Sequence, residues 1–375
     1  MTKKYIILYY PFTIRNNLNV GSNIRISKIR DYFREFSRLN GYELIEVNGE
    51  QKDRVKQINE IKKLNPRDIM YCYMELQNIP LLLTNKNHIP TNPFVDINFF
   101  QYMKKHNIPI SAFYRDIYWK FDDMYPLKGI KKILMVNLHK LDLRIFQKYI
   151  DILFLPSKKM NQYVNFPDDR VIALPPGGDL NLQNVDFSKK KQEPKVMNAI
   201  YVGALDETSG YDILLESFSR INQKDIKINL TLICRENEFK QKIDKIKVYL
   251  DAPWLDVKHL SKEELVEFYN KSDFSLIPRP QNAYNNFSMP VKLFEYISFG
   301  LPILSTKCDE IANFINRNGL GITVNDDIES FTKGIEKMIE ALNKGLFKKE
   351  DIYNKFVLSH TWLSRVQKIH ENLLM

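Results

Sequence analysis

The chain lacks several features that would assign it to a class at once. It has no apolar run of about 18 residues, the length at which a membrane-spanning helix becomes a candidate. Its first residues, MTKKYIILYYPF, are too short and too aromatic for a signal peptide. We therefore expect a cytosolic protein. The three cysteines, Cys72, Cys234 and Cys308, are isolated in apolar segments without a C-x-x-C pair, which is typical of reduced thiols in a hydrophobic core.

No long tail of one charge sign is present either. The formal charge of +10 comes from 55 Lys and Arg against 45 Asp and Glu, dispersed along the chain. That balance suits nucleic acid, an anionic membrane surface or a phosphorylated ligand equally well. No element combines a concentrated basic run with interleaved aromatic residues, so we expect no nucleic-acid partner. The six histidines are scattered, and we expect no metal site.

Short β-rich segments alternate with stretches of helical periodicity, a pattern typical of parallel sheets covered by helices. With 375 residues, 44% of them hydrophobic, the chain has enough apolar material for two cores. The alternation occurs twice, on either side of a polar, lysine-rich stretch at 177–198. Strands are predicted at 4–10, 42–47, 68–74, 109–116, 151–157 and 170–176, and then at 198–205, 227–234, 256–260, 274–278 and 321–324.

The segment SMPVKLFEYISFGLPILST, residues 288–306, combines a helix start with two opposite charges. Pro290 suits the first helical turn, where its missing N–H has no partner to lose. Unpaired N–H groups near Met289, Val291 and Lys292, together with the lysine charge, favour an anion such as a diphosphate. Glu295 lies one turn further on the same face and suits a diol such as ribose. An ordinary surface ion pair between Lys292 and Glu295 is the alternative interpretation.

The same segment resembles the P-x-K-x-x-E-Y-x-x-x-G-x-P signature of GT-B glycosyltransferases, in the broad group around glycosyltransferase family 4. IYVGALDETSGYDILLESF at 200–218 is similar to the opening of their donor domain. The resemblance implies an α/β fold with two doubly wound Rossmann-like domains facing a central cleft. It implies an acceptor domain at 1–176, a linker at 177–198, a donor domain at 199–355 and a helix at 356–375 that crosses back to the first domain.

The resemblance also implies the donor-binding residues. Lys292 would bind the diphosphate and Glu295 the ribose of a UDP- or GDP-linked sugar, which is a co-substrate and not a cofactor. The remaining candidates on the nucleotide are Met289, Pro290, Val291, Gly203, Arg235 and Glu236. Candidates on the donor sugar or acceptor are Arg279, Tyr284, Asn285 and Asn286.

Two departures from the family pattern are visible. Phe287 stands where many family 4 members have an acidic residue that holds the donor sugar, and the first donor-domain turn lacks the usual Arg and Lys. Lys292, with Arg279, would then compensate more of the diphosphate charge. In having a Met-Pro-x-Lys clamp at 289–292 without the usual Arg and Lys pair, the chain resembles the xanthan glucuronosyltransferase type.

In the first domain, Arg115 and Asp116 follow a predicted strand at the place where related enzymes often have His-Asp. Asp116 suits a general base for the acceptor hydroxyl, and Arg115 favours its ionised form. A structural ion pair is the alternative, and retaining chemistry would not need this base. Gly21 and Ser22 precede a helix and resemble the first glycine loop of the fold, although ordinary capping explains them equally well.

The stretch 127–149 has an apolar stripe at Leu127, Ile130, Leu134, Leu138, Leu141 and Ile145 with lysines beside it. Such a helix either lies on an anionic membrane at the inner face of the cell membrane or packs into the domain core. The sequence as a whole predicts a metal-independent glycosyltransferase of bacterial polysaccharide or glycoconjugate biosynthesis, acting on a glycan or lipid-linked acceptor. A catalytically inactive GT-B partner subunit of another glycosyltransferase is the alternative.

Overall fold

The computed structural model describes residues 3–14, 21–180, 185–187 and 196–374, without the side chains of residues 21–23. The chain divides into two compact units. The first comprises Met1–Pro176 together with Trp362–Met375, and the second comprises Gly177–Thr361. Each contains one six-stranded sheet in which every strand pairing is parallel. The predicted α/β fold of two doubly wound units is confirmed.

The first unit has the strand order β2-β1-β3-β4-β5-β6. Its strands are β1 (Tyr5–Tyr9), β2 (Glu43–Val47), β3 (Ile69–Glu75), β4 (Ile110–Phe113), β5 (Ile152–Leu155) and β6 (Val171–Ala173). Its helices are α1 (Gly21–Asn40), α2 (Gln51–Ile61), α3 (Val95–Lys105), α4 (Gly129–Tyr149), α5 (Asn161–Val164) and the last helix of the chain, Trp362–Leu374. Because the chain leaves β1 for β2 on one side and returns to β3 on the other, the order reverses between β1 and β3. A crevice at the carboxyl ends of these strands is the usual ligand site of such a sheet.

The second unit has the strand order β12-β11-β10-β7-β8-β9. Its strands are β7 (Met197–Val202), β8 (Ile228–Ile233), β9 (Leu255–Lys258), β10 (Phe274–Ile277), β11 (Ile303–Thr306) and β12 (Gly321–Val324). Its helices are α6 (Tyr211–Ile221), α7 (Glu236–Ile246), α8 (Leu265–Lys271), α9 (Val291–Ser298), α10 (Asp309–Asn318), α11 (Ile328–Asn343) and α12 (Lys349–Ser359). The last helix is then α13. Here the order reverses between β7 and β10.

Burial on both faces of each sheet explains why the strands are nearly all apolar. In the second unit one core contains Ile200, Phe294 and Ile303, and a separate core contains Ala199, Leu230 and Leu304. Alternate residues of β7 and β11 therefore enter different cores, as the two-residue period of a strand requires.

The unit boundaries differ from the prediction in two places. Val185, within the stretch predicted as a linker, is buried in a core of the second unit. The chain returns to the first unit at Trp362 and not at 356, because Phe356 of α12 is buried with Phe294 of α9 in that same core. The sequence pattern did not predict α10 or α12. Among the described residues, no helix is both long enough and apolar enough to cross a membrane.

Candidate active site

A cavity of about 100 Å³ lies in the second unit at the carboxyl ends of β7 and β10. This is the point where the strand order reverses, so the cavity occupies the expected ligand position of a doubly wound sheet. Three segments distant in sequence line it: the turn after β7, the segment after β10, and the start of α9. The residues that matter most are Gly203, Thr208, Arg279, Pro290, Lys292 and Tyr296.

The start of α9 differs from the prediction by one residue. Pro290 is the N-cap with an extended backbone, φ −74° and ψ 141°, and the helix begins at Val291. The backbone N–H groups of Val291 and Lys292 therefore lack an intrahelical acceptor. These two donors and the positive end of the helix dipole favour an anion at this end of the cavity.

Helix α9 ends at Ser298 with Phe299 as its C-cap, and Gly300 follows directly. Gly300 has φ +69°, and the N–H of Leu301 donates to the carbonyl of Tyr296 at 3.1 Å. This is the hydrogen-bond pattern of a Schellman cap. A Cβ at Gly300 would lie 2.3 Å from the carbonyl oxygen of Lys349, so a glycine is required both by the conformation and by the close approach of α12.

Lys292 and Glu295 form an ion pair, with Nζ and Oε2 2.6 Å apart. The same carboxylate oxygen accepts a hydrogen bond from the Tyr269 hydroxyl at 3.1 Å. Burial, and then the charge of Glu295, raise the pKa of Tyr269, so this phenol stays a neutral donor. Lys292 lines the cavity and Glu295 is one turn behind it. The structure thus contains the ion pair that was the alternative interpretation, at the mouth of a cavity suited to an anion.

Arg279 is the second cation at this cavity. It follows β10 by two residues, and its Nη1 donates to the Ser288 hydroxyl at 2.8 Å. Its backbone carbonyl also accepts from the Thr306 hydroxyl, which fixes the segment on which it lies. The structure therefore brings Arg279 and Lys292 to one cavity from the two ends of the segment between β10 and α9.

Gly203 allows the turn after β7 to pass close to the sheet. A Cβ at this position would lie 2.5 Å from the Tyr201 hydroxyl, and that hydroxyl is held by a 2.6 Å hydrogen bond to the carbonyl of Ala204. Gly203 and Lys292 both line the cavity, and contact of Gly203 with a nucleotide stays a prediction.

The segment 282–288 is mainly structural. Asn285 is fully buried, and its Nδ2 donates to the carbonyls of Pro280 at 2.8 Å and Thr208 at 3.3 Å. It joins two walls of the cavity and is not among the residues that line it, contrary to the prediction that it meets the sugar. Asn286 accepts a hydrogen bond from the N–H of Asp309 at 3.4 Å, and Tyr284 packs edge-on against the buried Phe287 at 5.1 Å.

Arg235 and Glu236 begin α7, directly beyond the end of β8. Arg235 pairs with Glu238 at 2.6 Å and Glu236 pairs with Lys240 at 2.6 Å. Both are exposed at the carboxyl edge of the sheet. Their contact with a nucleotide base stays a prediction.

In the first unit, Asp116 is part-buried and lies two residues before a short 3₁₀ turn, Tyr118–Lys120. Its Oδ1 accepts hydrogen bonds from the N–H groups of Ile117 at 2.7 Å and Tyr118 at 3.1 Å. Trp119 is buried, donates to the Tyr114 hydroxyl at 3.1 Å and stacks on His139. Trp119 therefore packs in the interior, while backbone donors fix the orientation of the Asp116 carboxylate.

A buried ion pair next to this loop was not predicted. Glu75, the last residue of β3, pairs with Arg25 of α1 at 3.2 Å and accepts from the Tyr73 hydroxyl at 2.5 Å. Burial raises the pKa of Glu75, while the charges of Arg25 and Arg115 oppose that rise. A charged residue that ends the apolar run DIMYCYM was the signal that could have revealed it.

The prediction for Gly21 and Ser22 concerns residues whose backbone is described but whose side chains are not. The backbone of α1 begins at Gly21, which makes these residues the first turn of the helix, and residues 15–20 before them are not described. Within the described part of the chain, no three His, Cys, Asp or Glu side chains are grouped in a way that could hold a metal ion.

Comparisons with known proteins agree with this geometry. The fold is that of the GT-B glycosyltransferases. Residues 197–341, most of the second unit, match the family described as "Glycosyl transferases group 1". No curated protein sequence matches the chain.

Solved structures resemble the chain over nearly its whole length. Sucrose-phosphate synthase from Thermosynechococcus elongatus has 11% identity and a TM-score of 0.64, with 99% of this chain and 98% of that chain covered. A glycosyltransferase from Rickettsia africae has 15% identity and a TM-score of 0.61, with coverage of 100% and 99%. HepE of Anabaena in complex with UDP has 11% identity and a TM-score of 0.61, with coverage of 99% for both chains. At these identities the likeness establishes the fold.

Gly210 packs closely against Pro278, a residue of the cavity lining, and substitution of this glycine tests that contact. It has φ +72°, and a Cβ there would lie 1.8 Å from the carbonyl oxygen of Pro278. Gly345 has φ +77° with no atom within 4 Å of the added Cβ, so it is a matched control for the conformation alone. We expect Gly345→Ala to lose about 1–2 kcal/mol of stability and Gly210→Ala about 1–3 kcal/mol more. Urea unfolding followed by circular dichroism measures both, and equal losses would contradict the proposed close packing.

Proposed function

We propose that the protein is a glycosyltransferase that moves a sugar from a nucleotide diphosphate sugar to a glycan or lipid-linked oligosaccharide acceptor. One observation carries the proposal: Lys292, Arg279 and the amino end of α9 meet at one cavity, at the strand-order reversal of a glycosyltransferase group 1 domain. Of UDP and GDP, we propose UDP, since HepE is described in complex with UDP.

The diphosphate would bind the N–H groups of Val291 and Lys292, the Lys292 ammonium and the Arg279 guanidinium. The two cations match the two or three negative charges that a nucleoside diphosphate group carries when its sugar bond breaks. Charge-assisted hydrogen bonds to phosphate oxygens are about twice as strong as neutral ones. These donors would therefore stabilise the leaving group as its charge develops.

Glu295 would bind the ribose hydroxyls. Binding of a diphosphate would draw Lys292 away from Glu295, while the hydrogen bond from Tyr269 keeps the carboxylate in place. A carboxylate that accepts two hydroxyl hydrogen bonds suits a vicinal diol. Arg235 and Glu236, at the end of β8, are the proposed neighbours of the base. We propose that Arg279 contacts the donor sugar. Position 287 is Phe287, so no carboxylate binds the sugar from there.

In an inverting reaction, Asp116 would act as the base. It would take the proton of the acceptor hydroxyl as that oxygen bonds to the anomeric carbon, and the bond from this carbon to the diphosphate oxygen would break. The backbone hydrogen bonds to Oδ1 orient the carboxylate. In a retaining reaction this base is not required, and Asp116 would then serve only the structure of its turn.

We further propose that turnover needs no divalent metal, and that the protein serves bacterial polysaccharide or glycoconjugate assembly on the cytoplasmic side of the membrane. The placement near the xanthan glucuronosyltransferase type stays a prediction. The alternative, an inactive partner subunit of another glycosyltransferase, predicts no nucleotide diphosphate release with any donor sugar. Release of UDP in the presence of an acceptor would exclude it.

Helix α4 supports a peripheral contact with an anionic membrane. The helix packs through its His139, Asp142, Leu143, Phe146 and Tyr149 face. The opposite face is apolar and exposed: Ile130 is 85% exposed, Ile133 62% and Leu134 57%, and Leu141 continues the stripe. The interpretation that the stripe packs into the core is therefore wrong for its exposed part.

Basic residues flank the exposed stripe on α4, namely Lys131, Lys140, Arg144 and Lys148. A helix with an apolar stripe and basic flanks is the type that lies in the plane of a membrane surface. Each basic residue near anionic lipid contributes about 1 kcal/mol of binding free energy. Binding to the membrane would also bring the protein close to a lipid-linked acceptor.

Lys292→Ala should weaken UDP binding at least about tenfold and reduce turnover with it, because a charge-assisted contact to phosphate is worth about 1.5–3 kcal/mol. Thermal shift against UDP, GDP and CMP measures binding, and UDP release with and without EDTA measures turnover and the need for metal. Lys271→Ala, an exposed lysine of the same unit paired with Glu267, is the control. Unchanged UDP binding by Lys292→Ala would contradict the site.

Asp116→Asn should reduce turnover about a hundredfold or more while leaving UDP binding unchanged, since general bases contribute roughly 10²–10⁴ in rate. The amide oxygen can still accept the hydrogen bonds of Ile117 and Tyr118, so the turn should persist. Circular dichroism and UDP affinity check that the variant is intact. Normal turnover in Asp116→Asn would rule out the base.

The double variant Ile130→Ser with Leu134→Ser should lose binding to vesicles that contain anionic lipid. Leu358→Ser, at an 80% exposed leucine of the second unit, is the control and should bind as the unchanged protein does. Sedimentation with phosphatidylglycerol-containing and neutral vesicles, at low and high salt, measures the contact. Equal sedimentation of all three proteins would refute it.

A further inference from the structure

The first unit contains a second and larger cavity, with a volume of about 870 Å³, which is within the range of small-molecule sites. It lies beyond the carboxyl ends of β1, β2 and β3, where the strand order of that sheet reverses. Its polar lining includes Ser27, Arg30, Gln77, Asn85, Lys86 and His88.

One wall of this cavity is a loop that the fold holds firmly. Asn85 is buried and its Oδ1 accepts from the N–H of Gln51 at 2.9 Å, while its Nδ2 donates to the carbonyl of Ile89 at 2.7 Å. The Thr84 hydroxyl accepts from Arg54 at 3.2 Å. Arg54 is itself fully buried and paired with Asp96 at 3.0 Å. The loop that carries Lys86 and His88 is therefore preformed, as ligand sites usually are.

The cavity has more positive than negative charge. Arg30 and Lys86 face one carboxylate of the lining, Glu50, and Glu50 already accepts a hydrogen bond from the N–H of Lys86 at 3.3 Å. Among the described residues, Lys86 has no carboxylate within ion-pair distance of its ammonium. Arg30 has only Asp31, with Nε and Oδ1 3.9 Å apart.

Nε of Arg30, a residue of the cavity lining, is buried and has no hydrogen-bond partner among the described residues. The Arg30 side chain as a whole is 19% exposed. Unpaired buried donors are rare in folded proteins and call for an explanation. An anionic ligand that reaches Arg30 would supply one.

We propose that this cavity binds a sugar that carries a carboxylate or a phosphate group. Arg30 and Lys86 bind the anion, and Ser27 and Gln77 contact the sugar hydroxyls. The role of this sugar as the acceptor, or as the acceptor's terminal unit, rests on the glycosyltransferase function proposed above. Binding itself does not depend on that function.

Ligand-observed NMR titration of the whole chain tests the proposal, with glucose 6-phosphate, glucuronate, glucose and inorganic phosphate as probes. We expect at least one of the two charged sugars to bind at least about tenfold more tightly than glucose, and the stronger of them identifies the anion as phosphate or carboxylate. Arg30→Gln and Lys86→Gln should each weaken that binding about fivefold or more. Lys105→Gln, at an exposed lysine of the same unit, should leave it unchanged.

Three results would overturn the proposal: glucose bound as tightly as both charged sugars, no response to Arg30→Gln and Lys86→Gln, or inorganic phosphate bound as tightly as glucose 6-phosphate. The UDP thermal shift of each variant is measured in parallel. Because UDP is assigned to the second unit, a normal UDP response shows that this unit is folded, and circular dichroism with urea unfolding checks the first unit, which carries Arg30 and Lys86. A chain that binds the charged sugar but not UDP would refute the glycosyltransferase proposal and leave this one standing.

Discussion

The position of α9 depends on one buried hydrogen bond. The N–H of Val202, the last residue of β7, donates to the hydroxyl of Tyr296 at 2.9 Å. Tyr296 is fully buried and lies one helical turn after Lys292, so this contact fixes the helix against the central strand of its sheet. This contact therefore helps to position the unpaired N–H groups of Val291 and Lys292, the Lys292 side chain and the wall of the cavity. Without that anchor, the amino end of α9 would not be held over the point where the strand order reverses.

Much of the second unit could be predicted because its signals are local. A proline before Lys292 and a glycine at position 300 mark the two ends of α9 within a few residues, and the apolar runs of β7, β8, β10 and β11 are continuous because both sheet faces are covered. In this unit the predicted carboxyl ends of β7, β8, β9 and β10 lie one to three residues beyond the observed ones, since apolar residues such as Leu205 continue past the strand, whereas β12 ends at the predicted residue.

The parts that could not be predicted depend on contacts between distant residues. The Arg54 and Asp96 pair spans 42 positions and Arg25 and Glu75 span 50, and neither has a local pattern. Asn285 looked like a polar loop residue, but its amide is used to join two carbonyls of the interior. The stripe on α4 shows the reverse case: an apolar period predicts a buried face, but only the packing of the opposite face reveals that this one is exposed.

The distribution of the first unit along the chain has a consequence for biosynthesis. Trp362, Val366 and Ile369 of α13 share one core with Ile6 and Leu8 of β1, although the whole second unit lies between them in sequence. The second unit is continuous and can form as soon as the ribosome releases it. The amino-terminal part emerges first yet lacks part of its core until α13 has been synthesised. The order of completion is therefore opposite to the order of synthesis, and a truncated nascent chain would expose the apolar surface that α13 covers.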